Sequence, residues 1–460
     1  FEINVPEDIT EDQQATLEQI PIITQRTNTT GLSWKRRFKN GNSFIRTTVS
    51  ANDLFNNFKK YADNENQEGL QTQNDSHEAE RKLRFEHTSF LGDWTISSGV
   101  MGQYVLYENN FVNVVTNNGF NTDLDFFRYG FFGQVSKPYF DQKLTTSFGI
   151  RFDGNTFTES GNNLLNTFSP RASFSLKIDD AGRLTFNGSV GRYYKILPYT
   201  VLGYQEDNQF VNQDASYIQS DHLVAGFEYL LTKSARFSVE AFYKKYDNYP
   251  VVISDSISLA NFGGGFEVLG NNNIRSVGLG RTYGVEFLLQ QKFTTNFYGI
   301  LAYTLYKSEF TGFDQDEYLP SVWDNTHLLT FTGGYKLHKN WEIGLRVRYL
   351  GETPYAPVDL ERSLETYPSS FVKDYQRLGE VYLDPFNQTD VRIDKKWNFE
   401  KWTLDIFLEV QNIFNNELPS EPGYGLLREN GEIINPRQLV EIEEVDNSSV
   451  LPTLGIVIDF

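Results

Sequence analysis

Cysteine is absent from the 460 residues, methionine occurs once, and no apolar run approaches the length of a membrane-spanning helix. Such a helix needs roughly 20 consecutive apolar residues, so a helical membrane protein is excluded. The absence of cysteine is compatible with export through an oxidising compartment. Positive charge is also scarce, because 41 Lys and Arg stand against 60 Asp and Glu, for a net charge of −19. Nucleic acid is not expected as a partner, since phosphate binding needs a clustered basic surface.

The first residues, FEINVPEDIT, lack an initiator methionine, a basic segment and an apolar core. We therefore expect that Phe1 is not the translation start and that a signal peptide or a longer segment precedes it. Aromatic residues are abundant, at 15% of the chain with 38 Phe and 26 Tyr. The mean hydropathy of −0.45 fits a soluble protein. It fits a β-barrel wall equally well, because only every second residue of a barrel strand faces lipid.

Alternation of apolar and polar residues with a period of two is the dominant pattern. In 401–412, one face carries Trp402, Leu404, Ile406, Leu408 and Val410, and the other carries Thr403, Asp405, Phe407, Glu409 and Gln411. The same alternation occurs in 142–154, 183–193 and 340–350. Each run is about ten residues long, which suits a tilted strand that crosses a bilayer.

The connections between such runs separate a barrel from a soluble sandwich, which also alternates. We predict seventeen strands, near 29–38, 42–52, 81–91, 93–105, 125–139, 142–154, 167–178, 182–194, 217–230, 234–247, 281–292, 296–309, 324–338, 340–351, 388–398, 401–412 and 450–460. Short links alternate strictly with long ones, the long ones covering roughly 53–80, 106–124, 155–166, 195–216, 248–280, 310–323, 352–387 and 413–449. Short periplasmic turns and long extracellular loops are typical of an outer-membrane barrel, whereas a sandwich has no reason to sort its loops.

Two features agree with this orientation. Four tryptophans fall beside short turns, where a periplasmic aromatic girdle is expected: Trp94, Trp341, Trp397 and Trp402. The last strand places four apolar residues on one face and resembles the signal read by the barrel assembly machinery: Leu454, Ile456, Ile458 and Phe460. The fold class predicted is therefore all-β, a transmembrane antiparallel outer-membrane β-barrel.

Counting strands back from a periplasmic Phe460 places residues 1–28 outside the cell, in a long loop. Complete bacterial barrels have even strand numbers and begin in the periplasm. We also expect a charged lumenal face: Arg151, Asp153, Glu240, Glu286, Arg346, Arg348, Asp405 and Glu409. The sequence thus predicts about 17 strands of a larger, 22-stranded barrel of the class closed by a plug.

Several segments resemble the barrel of TonB-dependent receptors, most closely those of Bacteroidetes. They are SPRASFSLKIDDAGRLTFNGSVGRYYKILPYT (169–200), GRTYGVEFLLQQKFTTNFYGILAYTLYKSEF (280–310), WDNTHLLTFTGGYKL (323–337), YLGETPYAP (349–357), LEVQNIFNN (408–416) and the closing LPTLGIVIDF. The resemblance runs from about 169 to 460. It implies that 1–460 is the C-terminal part of one such barrel, with the plug domain and the first strands absent from this chain.

The resemblance also implies a function and partners. The expected protein is an outer-membrane receptor that captures a nutrient at its extracellular loops and imports it with energy from a TonB-type protein. That protein would act through the missing N-terminal region. A small molecule, a glycan or a peptide would be the ligand, outer-membrane lipid would surround the wall, and a surface lipoprotein would be a further partner. Nothing in the chain resembles the plug or the TonB-interacting box, so a passive porin or channel stays the alternative.

No catalytic site is apparent, so an enzyme is not expected. The five histidines have no zinc-ligand spacing: His77, His87, His222, His327 and His338. A Gly-x-Ser-x-Gly elbow and a phosphate-binding glycine loop are both lacking. The glycines at 263–265 and at 278 and 280 lie in predicted loop or strand-entry positions, where glycine more often serves a turn. Asp324 and His327 could pair, although a structural role for that motif is favoured.

Aromatic and amide residues gather in the predicted loops, where flat rings and amides would suit a sugar or a peptide. The candidate ligand-binding residues are Tyr199, Tyr204, Tyr217, Tyr246, Tyr249, Asn272 and Trp323. For any single one, packing between loops is the more common role. No resident cofactor is expected, although the acidic run of Glu441, Glu443, Glu444 and Asp446 could bind Ca²⁺ in the extracellular loops.

Overall fold

The computed structural model describes residues 20–39, 41–64, 66–115, 117–262, 270–294, 296–367, 371–429, 432–442 and 448–460. Strands account for most of these residues. Two short α-helices lie in connections between strands, α1 at Tyr199–Leu202 and α2 at Leu360–Thr366. No helix in the described ranges is both long and apolar enough to span a membrane.

Eighteen strands within the described ranges join in one antiparallel sheet. One of them, Tyr318–Pro320, is a three-residue strand, and the other seventeen form the wall. The wall strands are β1 (Ile22–Arg37), β2 (Ser43–Asp63), β3 (Glu68–Leu91), β4 (Trp94–Asn113), β5 (Asn118–Tyr139), β6 (Leu144–Asn155), β7 (Ser169–Lys177), β8 (Leu184–Lys195), β9 (Ile218–Leu230), β10 (Ala235–Val252), β11 (Ile274–Gln291), β12 (Phe297–Thr311), β13 (His327–Lys336), β14 (Trp341–Leu350), β15 (Phe386–Asn398), β16 (Thr403–Gln411) and β17 (Leu451–Asp459). All seventeen correspond to the predicted strands.

Each wall strand pairs with the strand that follows it in the chain. The β3–β4 ladder, for example, runs without a break from Thr72 opposite Asn113 to Leu91 opposite Trp94. The two-residue turn that joins these strands contains Gly92 at a φ of 62°. A tight hairpin requires positive φ, which glycine adopts without steric cost. Sequential pairing of this kind is the topology of an up-and-down barrel wall.

The predicted sorting of the connections is confirmed at one end of the wall. Eight short connections lie there, at 38–42, 92–93, 140–143, 178–183, 231–234, 292–296, 337–340 and 399–402. At the other end, connections of more than ten residues lie at 156–168, 196–217, 253–273, 312–326, 351–385 and 412–450. The orientation expected of outer-membrane barrels places the short turns in the periplasm and the long loops outside the cell.

Two predicted loops, 53–80 and 106–124, are wrong. They are continuations of β2–β5, which are joined by connections of only four residues, 64–67 and 114–117. Residues 22–28, predicted to lie in a loop, are likewise part of β1. These extensions lie beyond the apolar band, which is the part of the wall where one face of each strand carries apolar side chains. They are rich in Asn, Asp and Glu on both faces. A strand in water needs no apolar face when its backbone is paired, so hydrophobic alternation does not reveal it.

The two faces of the wall differ as predicted. On β16, Leu408 is 46% exposed and pairs with Leu454 of β17, which is 73% exposed. Asp405 faces the other way and is buried. An apolar face that stays exposed in the protein alone is explained by contact with lipid. We call it the outer face, and we call the opposite face lumenal.

The lumenal face carries ion pairs, both between neighbouring strands and within one strand. Arg346 binds Asp390 with an N–O distance of 2.7 Å, and Arg392 lies 3.6 Å from Glu409. Farther along the wall, Arg151 and Asp153 are 2.5 Å apart. Two predicted lumenal glutamates, Glu240 and Glu286, are register partners on β10 and β11. The predicted charged interior is therefore confirmed for the described strands.

Aromatic side chains mark the end of the wall that carries the short turns. Trp94, Trp341 and Trp397 are all about two-fifths exposed on the outer face. The Nζ atom of Lys395 lies 5.4 Å from the ring centres of both Trp341 and Trp397. Trp402 stacks on Phe399 at 4.2 Å. Aromatic rings with a cation at this level are typical of a membrane interface.

The two outermost strands of the sheet are the first and the last. Within the described residues, β1 pairs with β2, β17 pairs with β16, and no pairing joins β1 to β17. The full number of strands in the barrel stays a prediction. In β17, the predicted face of Leu454, Ile456 and Ile458 is exposed. Its role in barrel assembly also stays a prediction.

Replacement of Leu408 by arginine should destabilise the wall. Leu408 lies six residues from Trp402, and a rise of about 3.3 Å per residue along a tilted strand places it near the middle of the bilayer. We expect Leu408→Arg to lower the free energy of unfolding in lipid by about 2–4 kcal/mol. Denaturant titration of the protein in bilayers measures this change.

Thr453→Arg is the matched control. Thr453 pairs with Glu409 on the lumenal face and lies at the same depth as Leu408. An arginine there would lie beside a carboxylate, so we expect a much smaller loss. Equal losses in the two variants would contradict the assignment of the faces.

Candidate functional site

The connection between β8 and β9 folds back against the lumenal face near the extracellular end. It covers residues 196–217 and contains α1, whose Val201 and Leu202 are fully buried. These side chains belong to one apolar cluster with lumenal residues of β4 and β5: Val105, Tyr107, Leu124 and Phe126. We call 196–217 the mouth loop. The mouth loop therefore covers part of the lumenal face of β4 and β5.

Tyr199 anchors the mouth loop through its hydroxyl group. The hydroxyl donates to Glu80 Oε1 at 2.8 Å and accepts from Arg128 Nη1 at 3.2 Å and Gln103 Nε2 at 3.4 Å. Burial raises the pKa of Tyr199 above its usual range, so the phenol stays protonated. Burial also acts to raise the pKa of Glu80, but hydrogen bonds from Lys82 and Tyr199 outweigh it and the pKa falls.

Two buried asparagines fix the ends of the mouth loop. Asn212 donates to the carbonyl oxygen of Val201 at 2.7 Å and to that of Asn272 at 2.9 Å, and it accepts from the N–H of Ile274. Asn155 donates to the hydroxyl of Tyr217 at 3.1 Å. Neither asparagine is exposed. Both therefore satisfy backbone and side-chain groups that would otherwise be buried without partners.

Beyond α1, the loop covers the extensions of β4 and β5. Thr122 donates a short hydrogen bond to the carbonyl oxygen of Gly203. The ring of Tyr204 meets the ring of Phe120 edge-on at 5.3 Å, and Phe120 lies 5.5 Å from Phe111. These three half-buried rings form an aromatic group at the rim of the lumen.

Several polar atoms near this aromatic group lack hydrogen-bond partners among the described residues. Both side-chain polar atoms of Asn109, the hydroxyl of Tyr107, Asn74 Oδ1 and Thr72 Oγ1 are buried in this way. Asn109 is 2% exposed and Tyr107 is 3% exposed. These residues share the lumenal face of β3 and β4, and we call them the polar patch. A buried polar atom without a partner costs about 1–3 kcal/mol. The polar patch is therefore a place where a ligand or water would be held.

A carboxyl group adds to the polar patch. Glu78 faces the lumen two residues from Glu80, and Tyr107 is its register partner. Burial raises the pKa of Glu78, and the charge of Glu80 raises it further. A carboxyl group whose pKa is raised is protonated over a wider pH range and can donate a hydrogen bond.

A second aromatic cluster forms around Phe310 on the lumenal face of β12. Phe310 is 1% exposed. Its ring centre lies 4.5 Å from that of Tyr249, 5.2 Å from that of Tyr246 and 6.0 Å from that of Trp323. The indole N–H of Trp323 donates to Ser308 Oγ at 3.1 Å. Trp323 keeps 44% of its surface exposed, so its ring remains open to a ligand.

The seven candidate ligand-binding residues therefore fall into two groups. Tyr199, Tyr217 and Asn272 help to hold the mouth loop, and Tyr204 lies at its rim. Tyr246, Tyr249 and Trp323 contact Phe310. Most of these side chains are occupied by contacts within the protein, and Trp323 is the one whose side chain is exposed. A role for any of them in ligand binding stays a prediction.

Asp324 and His327 do not pair. Asp324 Oδ1 accepts from the N–H of Ser308 at 3.1 Å, while His327 Nδ1 lies 2.8 Å from the hydroxyl of Tyr303. Burial raises the pKa of Asp324 to about 6, although the hydrogen bond from Ser308 acts in the opposite direction. The structural role that the sequence favoured agrees with these contacts.

The calcium prediction is untested. Glu441 ends a short strand that pairs with Tyr424–Leu426, while 443–447 lie outside the described residues. No group of three potential metal-binding side chains occurs in the described part of the chain. The glycines at 263–265 also lie outside it.

The residues of the polar patch lie in segments that the sequence predicted as loops, so they are not among the candidate residues. The sequence nonetheless contains a pattern that indicates a strand in this region. Val105, Tyr107, Asn109 and Phe111 continue the alternation of β4 beyond the apolar band. Asn212 carries no such signal, because its importance depends on contacts with residues 60 positions away.

Comparison with known proteins gives one family. The family model for the β-barrel of TonB-dependent receptor-like proteins matches residues 8–413. No curated protein matches the chain.

Several solved structures have a similar fold. FpvAI, in its complex with pyocin S2, is 13% identical with a TM-score of 0.60, covering 85% of this chain and 51% of that one. BauA, the ferric preacinetobactin receptor of Acinetobacter baumannii, is 9% identical with a TM-score of 0.60, covering 96% and 64%. FyuA, the ferric yersiniabactin uptake receptor of Yersinia pestis, is 11% identical with a TM-score of 0.60, covering 96% and 62%. The chain thus spans between half and two thirds of their length, and the likeness establishes the fold.

The raised pKa of Asp324 predicts a pH dependence of stability. Its folded-state pKa of about 6 lies above the ordinary value of 3.8, so the protonated carboxyl favours the folded state. That stability is fully present below about pH 4 and is lost as the pH rises through about 6. A shift of about two pKa units corresponds to about 3 kcal/mol, and screening by solvent reduces the expected loss to the order of 2 kcal/mol. Unfolding titrations in micelles between pH 4 and 8 would measure it.

Asp324→Asn should remove this slope, because asparagine keeps the acceptor for Ser308 and cannot ionise. Asp316→Asn, at an exposed position of the same connection, should leave the slope unchanged. A wild-type stability that rises between pH 4 and 7 relative to Asp324→Asn would contradict the assignment.

Proposed function

Because the chain belongs to the family of TonB-dependent receptor-like β-barrels, we propose that it forms the wall of a receptor that captures and imports a nutrient. Its location is the bacterial outer membrane, where this family resides. The apolar outer face and the interfacial tryptophans agree with that location. The ligand would bind at the extracellular mouth, and a TonB-type protein of the inner membrane would supply the energy for import.

The polar patch is the observation that carries this proposal. Asn109 can donate and accept hydrogen bonds at once, Tyr107 carries a hydroxyl, and Asn74 offers a carbonyl oxygen. The rings of Phe111, Phe120 and Tyr204 stand beside them and would support a flat or ring-shaped ligand. A buried polar group that finds its partner only in a bound ligand gives strong discrimination. The patch lies on the lumenal face, on the expected path of import.

Neutral groups dominate the polar patch, and they favour a ligand rich in hydroxyl or amide groups. A glycan or a peptide has this chemistry. The named neighbours are a ferric preacinetobactin receptor, BauA, and a ferric yersiniabactin uptake receptor, FyuA. A ferric siderophore is therefore the main competing ligand class, and a direct comparison of the two classes in binding assays would distinguish them.

The mouth loop would control access to the polar patch. Its contacts with the wall at Thr122, Tyr107 and Phe120 lie directly beside the unpartnered atoms. A ligand that reaches Asn109 must displace part of these contacts, and the hydrogen bonds it makes would offset their loss. Capture would then exchange contacts within the protein for contacts with the ligand.

A passive channel is the alternative function, and energy dependence separates the two. Uptake by cells that express the receptor should stop when the proton motive force is collapsed or the TonB-type protein is deleted. Uptake that persists in both conditions would identify a passive pore and contradict active import.

Asn109→Leu tests the role of the polar patch. Leucine has a similar volume and leaves no unpartnered polar atoms, so the free energy of unfolding should stay equal or rise by about 1 kcal/mol. Ligand binding should weaken by about tenfold to a hundredfold. Candidate glycans, peptides and ferric siderophores would be titrated calorimetrically against both proteins.

Asn110→Leu is the matched control, because Asn110 is the next residue along β4 and points to the outer face. It should leave ligand binding unchanged. Unchanged binding by Asn109→Leu, with the same or greater stability, would remove the polar patch from the ligand site.

A further inference from the structure

A groove of about 830 Å³ crosses the outer face of β4–β8 within the apolar band. Its floor lies where outward side chains are small, at Ser98, Gly133 and Ala172. A Cβ atom added at Gly133 would meet no heavy atom within 4 Å. Larger apolar side chains form the walls of the groove: Ile96, Val135, Phe148, Ile150 and Val190.

The groove runs across the strands and rises toward the extracellular side. Ser98 pairs with Gly133, Gly133 with Ile150, and Ile150 with Pro170. The lower part of the groove is at Ser98, four residues from the start of β4. The upper end is at Arg192, eight residues from the start of β8 and therefore farther from the short-turn end of the wall. Four steps between strands of about 4.8 Å give a length of about 19 Å. Such a length and slope suit an acyl chain that descends from the membrane surface.

A row of charges continues from the upper end of the groove. Arg192, Asp221, Lys245, Arg281 and Glu309 are successive register partners on β8–β12, and all face outward. We call these five residues the charge ladder. Asp221 accepts both hydrogen bonds of Arg192 at 2.7 Å.

Positive charge is in excess at the charge ladder, although the whole chain is strongly acidic. Lys245 and Arg281 are directly opposed like charges, an arrangement that is unfavourable in a sheet. Their partners are Asp247 and Glu309, and Lys307 also binds Glu309. With Arg192 and Asp221 included, four cations face three carboxylates. An anion placed between Lys245 and Arg281 would relieve their repulsion.

The charge ladder lies at the level of lipid headgroups. Lys245 is ten residues from the start of β10, about 33 Å along a strand tilted by about 45°. The vertical rise of about 23 Å matches the roughly 25 Å height of an apolar band. Directly below it, Tyr243 and Tyr283 stack on the outer face at 6.3 Å, as rings do at a membrane interface.

We propose that the groove and the charge ladder together bind a phosphorylated acyl glycolipid of the outer leaflet, of the lipid A type. One acyl chain would lie in the groove, and the phosphates would contact the cations of the ladder. The ladder spans four steps between strands, about 19 Å, which is wider than one phosphodiester needs. A headgroup with more than one phosphate therefore fits better than that of a phospholipid.

The groove is tested by filling it. Gly133→Leu would place a side chain on the groove floor, where the backbone and the neighbours leave room for it. Gly102→Leu is the matched control, since Gly102 is also open but does not line the groove. The protein is purified from outer membranes, and native mass spectrometry with lipid A bearing two phosphates gives the bound fraction. Gly133→Leu should weaken binding by about tenfold or more, and Gly102→Leu should bind as the wild type does.

The charge ladder is tested with a lysine pair. Lys245→Gln should weaken binding of the phosphorylated lipid by about tenfold and leave binding of dephosphorylated lipid A unchanged. Lys244→Gln is the control, because Lys244 is adjacent and faces the lumen. A heat-modifiable shift on gels confirms that each variant is folded.

Two outcomes would overturn the proposal. One is binding of lipid A by Gly133→Leu and Lys245→Gln at the wild-type level. The other is binding of phosphatidylethanolamine by the wild type as tightly as lipid A, because it would assign the groove to bulk phospholipid.

Discussion

The pairing of backbone hydrogen bonds is the constraint on which the rest of the structure depends. Hydrocarbon offers no partner to an N–H or C=O group, and each unpaired group costs several kcal/mol there. Continuous antiparallel ladders such as β3–β4 satisfy these groups strand by strand. Because the ladder hydrogen bonds satisfy the backbone N–H and C=O groups, the side chains can differ between the two faces. Leu408 can meet lipid while Glu409, the next residue, joins a lumenal ion pair.

The same ladder carries the structure beyond the membrane. β2–β5 continue well past the apolar band, and their lumenal face supports the mouth loop. Tyr199 links that loop to Glu80, Gln103 and Arg128 of three different strands. The polar patch lies beside this junction. Ligand capture and loop position are therefore coupled in our account through contacts with the same strands.

The wall was largely predictable from the sequence. Contact with lipid requires an apolar side chain at every second position of a strand, and residues such as Leu404, Ile406 and Leu408 show this alternation. The turns were predictable for a related reason, since a tight hairpin selects residues such as Gly92. The extensions of β2–β5 were not, because a strand in water shows no apolar face. The conformation of the mouth loop and the role of Asn212 could not be predicted either, because both depend on contacts between segments that are distant in the sequence. The charge ladder could not be predicted, because its residues lie on five different strands and become neighbours only through the register of strand pairing.

Accessibility along β16 tests the central claim, that the wall separates lipid from a polar lumen, most directly. The chain contains no cysteine, so single cysteines can be introduced and spin-labelled without other changes. Collision rates with oxygen and with a polar nickel chelate are then measured in lipid for residues 403–411. The account predicts alternation, with 404, 406 and 408 more accessible to oxygen and 405, 407 and 409 shielded from lipid. Uniform accessibility along the strand, or alternation of the opposite phase, would contradict it.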